Sequence, residues 1–231
     1  DRLVTVREPD YKLVFFGIEN PNVDFRAKDI EEKNGFTSFT VEFYGASQRV
    51  TVPTVGIHNV YDALAAFAVG YEMRMEPRKI AAGLKSFVPS GMRQRIKKVG
   101  GITVIEDCYN ASPDSQKAAL DVLSSFKSNR RIAVLGDMLE LGKYSDISHE
   151  NVGKYTENKN IDILFTYGAK AKHIAEGAKG FVDEIKSFDD KTELTKALLE
   201  TLKDGDAVLF KASRGMKLED VINSLYREWE E

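Results

Sequence analysis

The sequence predicts an α/β protein whose C-terminal part is a doubly wound, mainly parallel sheet. Two observations support this prediction. From Val99 onward, short apolar runs alternate with segments of helical periodicity, which is the pattern of parallel strands joined by crossover helices. The apolar runs are also rich in β-branched residues, such as Ile132, Val134 and Val208, as expected of strands that are buried on both faces.

Residues 1–56 read instead as β hairpins. The segment Phe36–Tyr44 alternates apolar and polar residues, which is the period of a half-buried strand. Other strands are predicted at Leu13–Gly17 and around Val50 and Val52, with a turn at Gly45-Ala46-Ser47. The period then becomes helical, from Ile57 and again from Pro77 through Leu84.

A linker is predicted at residues 86–92, which contain Pro89 and Gly91, so we expect two domains, 1–91 and 92–231. In the second domain the predicted strands are 102–106, 131–136, 162–167, 184–188 and 207–212. The predicted helices are 114–127, 147–157, 170–178, 190–203 and 217–229. Loops that leave the carboxyl ends of such strands form the ligand crevice of a parallel sheet.

Composition narrows the class of protein. The chain has 231 residues and a formal net charge of −3 with acids and bases interspersed, so we expect no nucleic-acid partner. Its apolar runs fall short of the ~20 residues that cross a bilayer, so no membrane association is expected. A single cysteine, Cys108, excludes an intrachain disulfide and suits a reducing cytoplasm.

Polar residues follow two neighbouring strands. Asp107 ends the first and can accept hydrogen bonds from ribose hydroxyls, while Asn110 and Ser112 read equally well as turn formers or, for Ser112, a helix cap. Asp137 and Glu140 follow the second and can hold a substrate amine or take its proton.

The last strand carries cations and a hydroxyl at the same edge. Ser213 and Arg214 can bind a carboxylate there. His149 is expected near this edge, although a lone histidine is more often a surface or capping residue.

Two more candidates lie outside this edge. His58, Asn59 and Asp62 share the first turn of a predicted helix, where unpaired backbone N–H groups can bind an anion or a base edge. A helix cap with a solvated face explains them equally well. Arg93, at the predicted linker, can reach a ligand phosphate, although exposed arginines are common in linkers.

Two kinds of motif are absent from the sequence. It contains no G-x-x-x-x-G-K-[ST] phosphate loop, and no G-x-G-x-x-G follows a predicted strand. The three histidines and one cysteine have no metal-ligand spacing, so no metal site is predicted.

Together, the motifs resemble those of the Mur ligase family. They are HNVYDALAA at 58–66, GMRQ at 91–94, EDCYNASPDS at 106–115, VLGDMLELG at 134–142 and KASRGMKLE at 211–219. YNASPDS and VLGDMLELG are most similar to the branch that adds D-alanyl-D-alanine to UDP-N-acetylmuramoyl-tripeptide. The resemblance implies that residues 1–91 are the second half of an α/β ATPase domain, and that 92–231 are a Rossmann-like C-terminal domain.

The resemblance also implies a reaction: ATP and Mg²⁺ convert the tripeptide carboxylate to an acyl phosphate, which the dipeptide amine attacks. It implies a bacterial, cytoplasmic and monomeric enzyme. The ATP contacts it implies are His58, Asn59, Asp62, Arg93, Asp107 and Asn110. The implied dipeptide contacts are Asp137, Glu140, Lys211, Ser213 and Arg214. The implied catalytic residues are Arg93, Asp137 and His149.

Three residues depart from the family pattern: Asp62 and Ser112 each replace a usual Asn, and Ala212 replaces a usual Gly. The family's N-terminal domain, phosphate loop and Mg²⁺ ligands are expected upstream of Asp1, so we expect this piece alone not to turn over ATP. Two alternatives stay open. One is a non-catalytic module that binds a nucleotide or small peptide, and the other is a phosphoacceptor signalling domain.

Overall fold

A computed structural model of the chain describes residues 12–33, 35–89 and 91–230. The chain divides into two compact units, Asp1–Val88 and Pro89–Glu231, and each has its own sheet and apolar core. Within the described ranges, no helix is long and apolar enough to cross a membrane. The first eleven residues of the predicted β region and Ser90 of the predicted linker lie outside the described residues.

The first unit is a four-stranded sheet followed by two helices. Its strands are β1 (Phe16–Gly17), β2 (Phe25–Lys33), β3 (Phe36–Phe43) and β4 (Ala46–Val52), in that spatial order. Only β1 and β2 pair in parallel. Helices α1 (Ile57–Glu72) and α2 (Pro77–Lys85) follow, and Pro77 opens α2 as predicted. The sheet and α1 share an apolar core that contains Phe25, Phe43 and Phe67, all buried.

Three predictions for this unit are corrected. The strand expected at Leu13–Gly17 is only two residues long, Phe16–Gly17. β2 was not predicted, because its register shifts between Lys28 and Glu31 at Asp29, whose φ is 50°, and the alternation is lost there. The hairpin turn lies at Tyr44-Gly45, where both residues have positive φ, and Ala46 and Ser47 already belong to β4.

The second unit alternates strands and helices as predicted. Its strands are β5 (Arg95–Val99), β6 (Ile102–Glu106), β7 (Arg131–Gly136), β8 (Ile163–Tyr167), β9 (Glu184–Phe188) and β10 (Ala207–Lys211). Its helices are α3 (Pro113–Ser125), α4 (Ser145–Lys154), α5 (Lys172–Ala178), α6 (Lys191–Thr201) and α7 (Glu219–Glu230). The α/β fold class and the mainly parallel sheet are confirmed.

The strand order is β5-β6-β10-β7-β8-β9, so the last strand lies between the first two parallel strands. One face of the sheet presents Val104, Val134 and Val208 to α6 and α7. Alternate residues such as Leu135 and Leu209 point to the other face and are fully buried too. Helices therefore cover both faces, and the ends of the strands, with the loops that follow them, are the places where a ligand can reach the sheet.

β5 was not predicted either. It is a short, charged edge strand that pairs antiparallel with β6 through a turn at Gly100-Gly101, where φ is 54° and 77°. A Gly-Gly pair between two β-forming runs is a known hairpin signal, so the sequence did contain the evidence for this strand.

Candidate functional site

The candidate residues of the second unit come together at the carboxyl ends of β6, β10 and β7, which are neighbours in the sheet. Asp107 follows β6, Lys211 ends β10, and Asp137 follows β7. Because these strands are parallel, their following loops meet at one edge, as expected.

Asp107 and Lys211 form a buried ion pair across two adjacent strands. Lys211 Nζ lies 2.9 Å from Asp107 Oδ2, and the lysine side chain is only 3% exposed. The ammonium also donates to the carbonyl oxygens of Asp107, at 3.3 Å, and Asn110, at 2.8 Å. Three partners match its three N–H groups, so in this geometry Lys211 holds the loop after β6 in place and does not face the crevice.

The remaining polar residues of that loop have local roles. The Asn110 side chain accepts a hydrogen bond from Ala111 N–H at 2.9 Å, as a turn former does. Ser112 is the N-cap of α3 and exchanges hydrogen bonds with Ser115 in a capping box. Asp114 lies in the first turn of this helix, where its charge suits the helix dipole.

Asp137 is buried and joins three loops. Its Oδ1 accepts hydrogen bonds from the N–H groups of Lys170, at 3.0 Å, and Ala171, at 2.6 Å, ahead of α5. Its backbone bonds to Tyr167 and Ser213. One oxygen of the carboxylate that is expected to bind an amine is thus hydrogen-bonded to backbone donors. Glu140, by contrast, is exposed and has a left-handed backbone with φ 65°.

His149 is fully buried, and both of its ring nitrogens have partners. Nε2 accepts a hydrogen bond from Met138 N–H at 2.9 Å, and Nδ1 donates to Ser145 O at 2.7 Å. Burial lowers the pKa of the imidazole below its ordinary value and so favours the neutral ring. Both ring nitrogens are thus occupied by protein groups, and the hydrogen bond from Met138 N–H joins His149 to the loop after β7.

Ser213 connects the loop after β10 to the two others. Its Oγ accepts a hydrogen bond from Leu139 N–H at 2.9 Å, and it lies 3.5 Å from Ala111 O. Gly136 is required beside it, since a Cβ there would lie 2.7 Å from Ala212 Cβ. Ala212 itself is not among the described residues with positive φ, so the family's usual glycine is replaced without backbone strain.

Two exposed arginines lie at this crevice, and both contact one aromatic ring. The guanidinium carbon of Arg93 is 4.2 Å from the ring centroid of Tyr109, and that of Arg214 is 5.9 Å from it. Arg214 also forms an ion pair with Glu219 at 3.2 Å. Tyr109 was not among the predicted site residues, although its place between Asp107 and Asn110 could have indicated it.

In the first unit, two of the three residues expected in the first turn of a helix lie there. His58 and Asn59 are in the first turn of α1, and Asp62 is in the second. Asn59 Nδ2 donates to Val55 O at 2.7 Å and lies 3.0 Å from His58 Nε2, so it ties the helix to the preceding loop. His58 and Asp62 are exposed.

No group of three or more potential metal ligands occurs among the residues that the structure describes. Cys108 is fully buried beside Met92, and burial raises the pKa of its thiol to about 12. A thiol in this state is not a nucleophile at neutral pH.

The site therefore has two layers. Asp107, Asp137, His149, Lys211 and Ser213 are largely buried and hydrogen-bonded, and they set the loops. Arg93, Arg214 and Glu140 are exposed and can contact a ligand. The loops that carry Glu140 and Arg214 touch, because a Cβ at Gly215 would lie 2.9 Å from Leu139 Cδ1. Such a surface suits a small ligand with both an anionic and a cationic group.

Comparison with known protein families gives two matches. The family described as "Mur ligase, glutamate ligase domain" matches residues 92–214. The family described as "Mur ligase middle domain" matches residues 3–70.

Two bacterial relatives carry the same name, UDP-N-acetylmuramoyl-tripeptide–D-alanyl-D-alanine ligase. The one from Bacillus subtilis is 39% identical over 206 residues, which is 87% of this chain and 45% of that protein. The one from Haemophilus influenzae is 35% identical over 209 residues, 87% of this chain and 44% of that protein. The chain thus spans about half the length of the curated relatives it matches.

Two solved structures have a fold similar to that of this chain. MurF from Acinetobacter baumannii superposes with a TM-score of 0.82 at 27% identity, over 93% of this chain and 46% of that one. MurF ligase from Thermotoga maritima, in complex with ADP, gives 0.80 at 26% identity, over 94% and 49%.

Proposed function

Because this chain belongs to the Mur ligase family, we propose that it forms part of an ATP-dependent ligase that adds D-alanyl-D-alanine to UDP-N-acetylmuramoyl-tripeptide. Residues 1–91 are proposed to be the C-terminal part of the ATP-binding domain, and 92–231 the C-terminal domain. The parent enzyme is proposed to be a cytoplasmic monomer that binds neither nucleic acid nor membrane.

The proposed reaction forms one amide bond at the expense of one ATP. The tripeptide carboxylate takes the γ-phosphoryl group, with Mg²⁺ assistance, and the resulting acyl phosphate loses phosphate when the dipeptide amine attacks its carbonyl carbon. ADP binding by a solved relative of this fold supports the nucleotide part of the proposal. We assign the adenine to His58, Asn59 and Asp62, the phosphates to Arg93, and the ribose to Asp107 with Asn110 beside it.

The dipeptide is assigned to the exposed charges of the crevice. A zwitterion presents one carboxylate and one ammonium, and Arg214 and Glu140 are exposed groups of the matching signs on two touching loops. Lys211, Asp137 and Ser213 were candidates for the same contacts, but they are hydrogen-bonded to protein groups. We therefore assign them, with His149, to positioning the loops. The pair of touching loops is the observation that carries this proposal.

The chemical role of the amine contact follows from charge. The bound ammonium must lose one proton before its nitrogen can attack, and the nitrogen loses a second proton as the amide bond forms. A carboxylate beside it can stabilise the ammonium on binding and accept the first of these protons. Arg93, assigned to the ATP phosphates, would stabilise the negative charge that develops on the departing phosphate groups. No residue of this chain is proposed as an Mg²⁺ ligand.

The test is a phosphate-release assay with purified protein, ATP, Mg²⁺, UDP-N-acetylmuramoyl-tripeptide and D-alanyl-D-alanine. The parent ligase should release phosphate only when both substrates are present. The 231-residue chain contains no phosphate-loop motif and should release none by itself. Omitting the dipeptide is the matched control. Release from the parent protein that does not depend on the dipeptide would refute the assignment.

One feature favours a second candidate for the chain by itself: a module that binds a nucleotide or peptide without chemistry. The sequence has ligand-facing charges but no G-x-x-x-x-G-K-[ST]. Phosphate release also separates the two candidates when the chain is combined with the upstream half of a relative. A ligase part should then restore the release of phosphate, whereas a binding module should give none.

A further inference from the structure

Tyr109 is the aromatic residue of the crevice, and two cations from different loops contact its ring. The side chain is 42% exposed, in the loop that follows β6. Arg93 belongs to the segment before β5, and Arg214 to the loop after β10. Their guanidinium carbons lie 4.2 Å and 5.9 Å from the same centroid, so the two cations are within about 10 Å of each other.

Two hydrogen bonds hold the backbone of Tyr109 beside that of Arg93. Tyr109 N–H donates to Met92 O at 3.1 Å, and Gln94 N–H donates to Asp107 Oδ1 at 3.2 Å. Met92 and Gln94, on either side of Arg93, are thus joined to Tyr109 and Asp107, respectively. These hydrogen bonds place the backbones of Tyr109 and Arg93 next to each other, so that the two side chains can meet.

An arginine that stacks on a ring uses its flat face and keeps its N–H groups in the plane of the guanidinium. Those N–H groups can still donate to phosphate or carboxylate oxygens. Stacking also restricts a side chain that otherwise has many rotamers, so less conformational entropy is lost when an anion binds. A leucine of similar size would fill the space without attracting a cation.

We propose that Tyr109 is a positioning residue that holds Arg93 and Arg214 over one crevice, so that the pair receives two anionic groups. The first is a phosphate at Arg93 and the second a carboxylate at Arg214. The identities of the two anions rest on the proposed function, whereas the positioning of the arginines does not. This role is separate from that of Asp107 and Lys211, which set the backbone of the loop.

The experiment records the Nε–Hε NMR signals of the arginines in the full chain and its affinity for pyrophosphate by calorimetry. The variants are Tyr109→Phe, Tyr109→Leu and the control Tyr155→Leu. Tyr155 also contacts a cation, with Lys159 Nζ 4.3 Å from its centroid, but it lies at the end of α4, away from the crevice loops. Amide spectra of each variant report whether it is folded.

We expect the Arg93 Hε signal to be shifted upfield by the ring in the wild type and in Tyr109→Phe, and to lose that shift in Tyr109→Leu. Pyrophosphate affinity should fall about three- to tenfold in Tyr109→Leu only. The proposal is overturned if Tyr109→Leu keeps the wild-type affinity, if the Arg93 signal does not move, or if Tyr109→Phe loses as much as Tyr109→Leu.

Failure of the proposed function is read from a different signal. D-alanyl-D-alanine should perturb the Arg214 Nε–Hε signal of the wild type. A wild-type chain whose arginines respond to pyrophosphate and to the ring, but not to the dipeptide, supports the positioning role and refutes the assignment of the dipeptide.

Discussion

Lys211 Nζ lies 2.9 Å from Asp107 Oδ2, and this contact joins the ends of β10 and β6. The lysine donates to two backbone carbonyls as well, so one buried ammonium holds the loop that presents Tyr109. The charged residues of the crevice thus differ in burial. Lys211 and Asp137 are buried and hydrogen-bonded to protein groups, whereas Arg93, Glu140 and Arg214 are exposed.

Removing that ammonium should destabilise the second unit. Lys211→Met removes the ammonium that Asp107 Oδ2 and two carbonyl oxygens share, so we expect the free energy of unfolding to fall by about 2–4 kcal/mol. The only tryptophan, Trp229, packs against the core of this unit, so its fluorescence in urea measures the effect.

The control is Lys191→Met, whose partner Asp220 is 58% exposed. An ion pair of this kind contributes about 0–1 kcal/mol. Equal losses in the two variants would contradict the structural role given to Lys211.

His149 should make stability depend on pH. An unfolded histidine takes up a proton near pH 6.5, whereas burial lowers the pKa of His149 in the folded protein. As the pH falls below about 6.5, the unfolded state therefore binds more protons and the free energy of unfolding falls. His149→Gln keeps an acceptor for Met138 N–H and should flatten this slope.

The measurement is urea denaturation at pH values between about 7.5 and 5, with the wild type and His149→Gln compared at each pH. An unchanged slope in His149→Gln would show that another group causes the pH dependence.

Two glycines in helices should respond to alanine with opposite signs. In α4, a Cβ at Gly153 would lie 2.1 Å from Ile174 O of α5, so Gly153→Ala must push the helices apart. We expect it to lower stability by about 1–3 kcal/mol. In α2, Gly83 has nothing within 4 Å, and Gly83→Ala should raise helix stability by up to about 1 kcal/mol.

Thermal unfolding followed by circular dichroism distinguishes the two effects, since each glycine belongs to a different unit. A stabilised Gly153→Ala variant would mean that α4 and α5 do not pack this closely.

In the parent ligase, Arg214→Ala should raise the KM for D-alanyl-D-alanine by about 10- to 100-fold, because a charge-assisted hydrogen bond to the carboxylate is lost. The KM for ATP should stay unchanged. Arg227→Ala, which removes an exposed arginine in the last turn of α7, is the control. A dipeptide KM that does not change would place the carboxylate elsewhere.

Features that depend on residues close together in the sequence could be predicted better than those that depend on contacts between distant segments. The five parallel strands and the helices between them follow from local periodicity and were predicted. β5 was missed although Gly100-Gly101 marks its hairpin, and β2 was missed because a bulge at Asp29 breaks its alternation.

Which charged residues of the site are buried and which are exposed could not be predicted from local sequence patterns. Lys211 bonds to Asp107 across 104 residues, and the contact exists only because β10 inserts between β6 and β7. Likewise, His149 is buried because α4 packs beside the loop after β7, where the His149 ring accepts a hydrogen bond from Met138 N–H. Strand order and helix packing decide which charges are exposed, and neither follows from the residue pattern of a single segment.

The most direct test of the account is a residue-resolved NMR titration of D-alanyl-D-alanine into the 231-residue chain, with L-alanyl-L-alanine as the control. We predict saturable amide shifts in the three loops 107–112, 137–142 and 211–215, reduced in Arg214→Ala and in Glu140→Gln. Shifts that are absent at millimolar dipeptide, that lie outside these loops, or that the L-dipeptide reproduces would contradict the assignment of this crevice to the dipeptide.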